Sequence, residues 1–447
     1  MSPIPPFSIW CVLLNTVRRV AKNTLSLASA EVITKLLAFV LIIFIARHLQ
    51  DVGFGKYSFA LAFTSFFAII ADLGFSTLTI REVAKDNELA GKYLGNISLV
   101  KFILSIVAFL LVVIIINLMH YPPDTTLAVY IAGAYVILTS FNQFFISIFR
   151  AFEKMEYETL VRVVEKVIVF SLVMYLIYLG YGLIEIVSAF LLSSIFSFVF
   201  SGLIVLKKFA KPNFEIDFSF LKHTTKEALP FGLTAIFVSI YFQIDTVMLS
   251  MMQGDAAVGW YNAAYNIIRG LSALIAGSIG AVSFPIMSRY FKTTKSNLKR
   301  FYIQLFQLMF TLGTFVSIFV TLFAAEIIQI LYGSQYSNSA TALKILIWAF
   351  FIICVSTISS TLLYSINKQN IVTIGTGLGA LLNIVLNLIL IPYYSLVGAA
   401  YATVATEFFG FIIYFYYSIK LLKVDWKNPN LFLWTMKENI RILKKLF

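Results

Sequence analysis

The chain has 447 residues, 60% of them hydrophobic and only 12% charged, where soluble domains average about 45–50% apolar and about 25% charged. A water-soluble fold of this length cannot hide so much apolar surface, so the chain reads as an all-α polytopic membrane protein with the bilayer as its solvent. The net charge of +13 would suggest nucleic acid in a soluble protein; here it reads as basic loops on one membrane face, with no nucleic-acid partner.

The opening segment MSPIPPFSIWCVLLNTVRR carries its basic residues after its apolar part, which argues against a signal peptide. A spanning helix needs about 20 mainly apolar residues. Six candidates lie in the first half, at 24–46, 55–79, 98–119, 127–149, 160–179 and 183–206. Six more lie in the second, at 229–251, 258–284, 302–324, 341–364, 371–391 and 397–419. Short turn-like segments join them on one side: HYPPDTT near 120–126, GYG at 180–182, QGD at 253–255 and PYYSLVG at 392–398.

Basic residues orient the spans. Arg18, Arg19 and Lys22 precede the first; Lys207, Lys208, Lys211, Lys222 and Lys226 fill a central segment. Arg289, Lys292, Lys295, Lys299 and Arg300 follow span 8, and more lysines crowd the end. With alternating spans these share one face, and only Arg47, Lys56 and Lys344 fall on the other. The asymmetry predicts a multi-pass protein of the cell membrane with both termini cytoplasmic. Parity supports an even count, so ten or fourteen spans would satisfy the same rule.

The expected organisation is a six-helix lobe at 1–206, a basic linker at 207–228, a second six-helix lobe at 229–419 and a tail at 420–447. In the tail, Leu433, Met436, Ile440, Leu443 and Phe447 recur at helical spacing opposite Lys437, Arg441, Lys444 and Lys445. That is a basic amphipathic helix suited to anionic membrane lipids. The two halves share a weak repeat. At one constant offset Lys22 matches Lys226, Asp51 matches Asp255, Gly55 matches Gly259, Tyr57 matches Tyr261 and Ala60 matches Ala264. Six spans per half make the repeats parallel, related by a pseudo-two-fold axis along the membrane normal, as in rocking transporters.

Ionisable groups inside spans usually face a wet cavity or a partner. Glu31 and Lys35 stand one turn apart with the acid first, the favourable order for an ion pair. Arg269 has no acid one turn away on its helix, which makes it and Lys35 the best candidates for an anionic headgroup, with Glu31 orienting Lys35. Arg47 near the outer end, and Arg81 and Arg150 near the inner end, suit gates or an entrance. Asp72, Asp245 and Glu407 suit polar cavity lining or helix packing. Arg150, Glu153, Lys154, Arg162, Glu165 and Lys166 read as an interfacial charge network. Cys11, Cys354 and three scattered histidines give no disulfide or metal pattern. No nucleotide, hydrolase or metalloprotease motif appears, so neither cofactor nor catalytic residue is expected.

The stretch 22–85 resembles the opening of the polysaccharide-biosynthesis flippases of the multidrug/oligosaccharidyl-lipid/polysaccharide exporter superfamily. The residues that carry it are Ala46, Arg47, Leu49, Phe54, Gly55, Tyr57, Asp72, Leu73, Gly74, Phe75, Arg81 and Glu82. Pro230, Asp245, Met248, Leu249, Gly259 and Tyr261 repeat the resemblance in the second half. It implies two lobes around a cavity open alternately to each side, and a polyprenyl-linked oligosaccharide moved from inner to outer leaflet. Glycan polymerases or glycosyltransferases would be partners, and a proton or sodium gradient a candidate driving force. A multidrug/cation antiporter of the same superfamily stays open, with Glu31 and Asp72 as its acids; so does a non-transporting subunit of a glycan-assembly complex. A lipid II flippase would carry more arginine in spans 1 and 2, where Thr64 stands here.

Overall fold

The computed structural model describes residues 34–213 and 215–423, with the first helix running back to Pro6. The side chain of Glu31 and the expected tail helix lie outside the described residues. Within them every regular element is helical, as a bilayer demands of a chain that must satisfy its backbone internally.

Helix α1 (Pro6–Asp72) is two spans joined at Gln50, whose left-handed backbone (φ 58°) is the whole turn. A second break follows at Leu73 (φ 46°) and Gly74 (φ 85°), after which α2 (Phe75–Val83) completes the span. Helices α3 (Ala90–Leu118), α4 (Pro123–Ala151), α5 (Met155–Tyr178) and α6 (Leu183–Lys208) follow. Their turns use the residues the sequence offered: Pro123 at the first turn of α4, and Gly182 before α6, whose N–H donates to the Glu185 carboxylate (3.1 Å). Then come α7 (Phe218–Gln253), α8 (Asp255–Leu274), α9 (Ala276–Thr293), α10 (Lys295–Leu322), a short α11 (Ala324–Tyr332), α12 (Ser339–Ser365) and α13 (Gln369–Leu422).

Among the described residues nine helical stretches are long and apolar enough to cross a membrane, with α8 and α9 together forming one of them. Two of the nine, around α1 and α13, are each a pair of spans, because Ser395 (φ 51°) folds α13 as Gln50 folds α1. Helix α5 is long enough but more charged at its start. Among the described residues the expected twelve crossings are therefore present. The turn expected at PYYSLVG is made by one left-handed residue, Ser395, with helix on either side. The basic stretch after span 8 is not a loop: α9 and α10 run through it as helix, separated by Thr294.

By contact the chain forms two compact units. One comprises the residues up to Phe44 together with Phe63–Ala235; the other comprises Ile45–Ala62 and Ile236 onward. Inside the second unit the repeat becomes geometric. A Cβ on Gly55 would overlap the Asp255 carbonyl oxygen, and a Cβ on Gly259 would overlap that of Asp51. These two contacts exchange under the offset found in the sequence, so α1 and α8 cross there about a pseudo-two-fold axis.

In the first unit the linker is a docked strap. Gly91 and Gly95, one turn apart on α3, open a groove that the linker backbone fills. A Cβ on Gly95 would overlap the Asn213 oxygen, and one on Gly91 would stand 2.8 Å from that of Lys211. The Asn213 N–H donates to the Gly91 carbonyl (2.8 Å). Asn96 then grips the strap twice, donating to the Glu215 carbonyl (3.0 Å) and accepting from the Asp217 N–H (3.0 Å). Lys92 reaches Asp217 at 2.7 Å and lies 4.7 Å over the Phe220 ring.

Gly95→Val should lift the strap, raising hydrogen exchange across 211–217 and costing about 2 kcal/mol of stability, as overpacking a close contact does. Acid should act on the same place. The hydrogen bond from Lys92 holds the Asp217 carboxyl below the usual carboxylate range. Its contribution is therefore present above the unfolded value of about 3.9 and lost as pH falls through the lowered folded value. Strap protection unchanged well below that range would show that the ion pair does not hold it.

Candidate functional site

Each unit places polar side chains among its apolar helices, and the two sets differ in kind. In the first unit Asp72 ends α1 at the break and caps α2, accepting from the Ser76 hydroxyl (2.5 Å) and its N–H (3.4 Å). Lys101 of α3 is fully buried; its ammonium donates to Asp72 (2.5 Å) and Ser140 (2.8 Å), with the Phe141 and Phe144 rings each 5.7 Å away. A charge in such a place survives because it is paired and hydrogen-bonded. Lys101 was not singled out in the sequence, since a lysine near the start of an apolar span looks interfacial. The available signal was Asp72, which needed a counter-charge.

The second unit uses one-turn spacing on every helix it draws from. Asp245 of α7, 2% exposed, accepts from Tyr261 (2.8 Å) on α8, Thr403 (2.9 Å) on α13 and Asn387 (2.5 Å) earlier on α13. Asn387 also donates to Asn383 (3.0 Å), one turn away, while its own carbonyl oxygen is buried without a partner. All these donors to Asp245 are neutral. From Tyr261 the ladder climbs α8: the Tyr265 ring stacks on it at 5.5 Å, and the Arg269 guanidinium lies 5.8 Å from the Tyr265 ring. On α13, Glu407 stands one turn beyond Thr403 and pairs with the Tyr241 hydroxyl.

The ladders end at a cavity of about 480 Å³ lined by Arg269, Glu407, Tyr241, Tyr265, Tyr414 and Ser272, among others. Arg269 is exposed into it and forms no salt bridge among the described residues. It is the in-span cation singled out for having no acid nearby on its helix; Glu407 of α13 lines the same cavity without forming a salt bridge to it among the described residues.

The other candidates are engaged elsewhere. Lys35 is half-buried on α1 in the first unit and makes contacts of its own. Arg47 caps the end of α11, its guanidinium donating to the Leu331 carbonyl (2.7 Å) and to that of Ile330. Arg81 bridges Glu82 (2.5 Å) and Glu227. Arg150 makes a two-pronged pair with Glu158 (2.8 and 2.7 Å), which is 1% exposed and is also held by Arg162 (2.8 Å). The cluster between α4 and α5 is thus a charge network.

Comparison with known proteins agrees with this architecture. A family model described as polysaccharide biosynthesis protein matches residues 20–291, and one described as MatE matches 230–389. An uncharacterized membrane protein of Methanocaldococcus jannaschii is 25% identical over 420 residues, covering 88% of this chain and 82% of that one. A probable low-salt glycan biosynthesis flippase, Agl15 of Haloferax volcanii, is 21% identical over 419 residues, covering 91% and 85%. The fold is that of the solved lipid II flippase MurJ in an inward closed conformation, with TM-score 0.75 at 18% identity over 94% of this chain and 92% of that one.

Asp72→Asn should destabilise the protein by about 3 kcal/mol, because it strands the buried Lys101 ammonium. Adding Lys101→Met should recover most of that loss. Thermal unfolding of the two singles and the double in detergent measures the coupling, and simple additivity would mean that the pair is not a unit.

Proposed function

The chain belongs to the polysaccharide biosynthesis protein family, and from that premise we propose that it is a flippase for a polyprenyl-linked oligosaccharide. It carries this cargo from the inner to the outer leaflet by alternating access, as a transporter and not an enzyme. The physical problem is clear: a sugar-phosphate headgroup cannot cross about 30 Å of hydrocarbon unaided. The single observation that carries the reading is Arg269, an unpaired guanidinium opening into a polar cavity inside the membrane helices. A cation kept there without a carboxylate partner is poised for a ligand. The name of the Haloferax volcanii relative supports the same assignment.

The proposal extends to organisation. The lobes are 1–206 and 229–419, joined by the 207–228 linker, and the lysine-rich face is cytoplasmic with both termini on it. The protein sits in the cell membrane beside the glycosyltransferases or polymerase that make and use its cargo. Lys35, with Glu31 orienting it, serves the headgroup in the first lobe. Coupling to a proton or sodium gradient belongs at Asp245, a buried carboxylate held only by neutral groups.

Arg269→Ala should lower surface glycan export at least about tenfold, a loss of about 1.4 kcal/mol in binding, while the protein stays in the membrane. Surface glycan and membrane protein are measured together, with the lipid-linked precursor expected to accumulate on the inner leaflet. Normal export from a well-expressed variant removes Arg269 from the site.

A further inference from the structure

The cavity of the second unit has a charge balance that does not suit a pyrophosphate. Arg269 is its cation among the described residues, Glu407 is its carboxylate, and Asp245 lies behind it within the same polar network. A prenyl pyrophosphate brings at least two negative charges, and a buried charge without compensation is strongly disfavoured. One guanidinium beside a carboxylate does not offset them.

What the lining does offer is aromatic surface and hydrogen-bonding groups of both senses. Tyr241, Tyr265 and Tyr414 line the space, Arg269 donates and Glu407 accepts. Ser272 contributes a buried hydroxyl that has no partner among the described residues. The volume, about 480 Å³, lies within the range of about 300–1,000 Å³ usual for small-molecule sites. A sugar ring is complementary to such a lining. Its C–H face packs on an aromatic ring, and its rim of hydroxyls both donates and accepts hydrogen bonds.

We propose that this cavity is a carbohydrate subsite, taking one or two sugar rings of the cargo while the lipid pyrophosphate stays outside it. The assignment rests on the flippase reading above. Glu407 is the specificity residue: it accepts hydrogen bonds from sugar hydroxyl or amide groups and repels a phosphate. Arg269 donates to the sugar from the opposite side of the charge balance.

The test compares two probes on the purified full-length protein in nanodiscs by titration calorimetry. One is a short-chain prenyl pyrophosphate without sugar, the other the same lipid carrying a disaccharide. Glu407→Gln removes the charge at nearly constant shape. Gly277→Phe fills the space, where a Cβ would have nothing nearer than 3.7 Å; it keeps the test alive if the first variant fails to fold. Each variant should weaken binding of the glycosylated lipid about tenfold or more and alter the bare lipid by less than about twofold. Equal losses on both lipids would place the phosphate in the cavity and overturn the proposal. Unchanged binding of the glycosylated lipid would overturn it too, with the flippase reading left standing. If the unaltered protein binds neither lipid, the flippase reading fails and the subsite with it.

Discussion

Everything polar in this protein answers to one constraint: inside hydrocarbon there is no water to complete a hydrogen bond or screen a charge. The backbone meets it with helix in every regular element described, and by turning on single left-handed residues such as Gln50 and Ser395. The side chains meet it by pairing. Lys101 is buried because Asp72 and Ser140 receive it, and Asp72 can end a helix in the span because Ser76 and Lys101 satisfy it. Against that background an unpaired arginine carries information that it would not carry on a soluble surface.

The internal repeat shows where scaffold ends and chemistry begins. Gly55 and Gly259 are equivalent in the repeat, and so are Asp51 and Asp255; the crossing of α1 and α8 uses all four reciprocally. The polar ladder is not repeated in this way. At the same offset Tyr261 has a counterpart in Tyr57, but Tyr265 faces Leu61, Arg269 faces Ser65 and Asp245 faces Leu41. A pair of helices kept close by glycine is therefore common to both halves. The buried carboxylate and the free guanidinium belong to the second alone.

Much of the fold was legible because a bilayer makes the signal simple: length of apolar run and turn residues. The spans came out of those features, and so did the glycine turn at Gly254. The break at Leu73 did not, since it falls on an ordinary apolar residue inside an expected span; the turn at Ser395 lies within PYYSLVG, where proline and glycine mark a turn. The short helix α11 was hidden in a connection between spans, and its end is satisfied by Arg47, a distant residue whose place in the sequence suits a gate. Of the candidate site, Arg269 was legible because it is charged and stands on its helix without an acid one turn away. Asn383, Asn387, Thr403 and the tyrosines were not, because neutral polar residues in a span gain meaning only when the fold brings several helices to one point.

That convergence also separates the two charged centres by what they can do. Asp72 and Lys101 neutralise each other, so neither has much to gain from a ligand; their geometry fixes a helix break. Asp245 is held by neutral hydroxyl and amide groups, and Arg269 meets the face of Tyr265 without a salt bridge among the described residues. Tyr261, Tyr265 and Thr403 lie between them as a continuous run of side chains in van der Waals or hydrogen-bond contact. A change of charge at the buried carboxylate therefore has a short physical path to the guanidinium in the cavity. The carboxylate at one end and the guanidinium at the other are held by one set of helices, α7, α8 and α13.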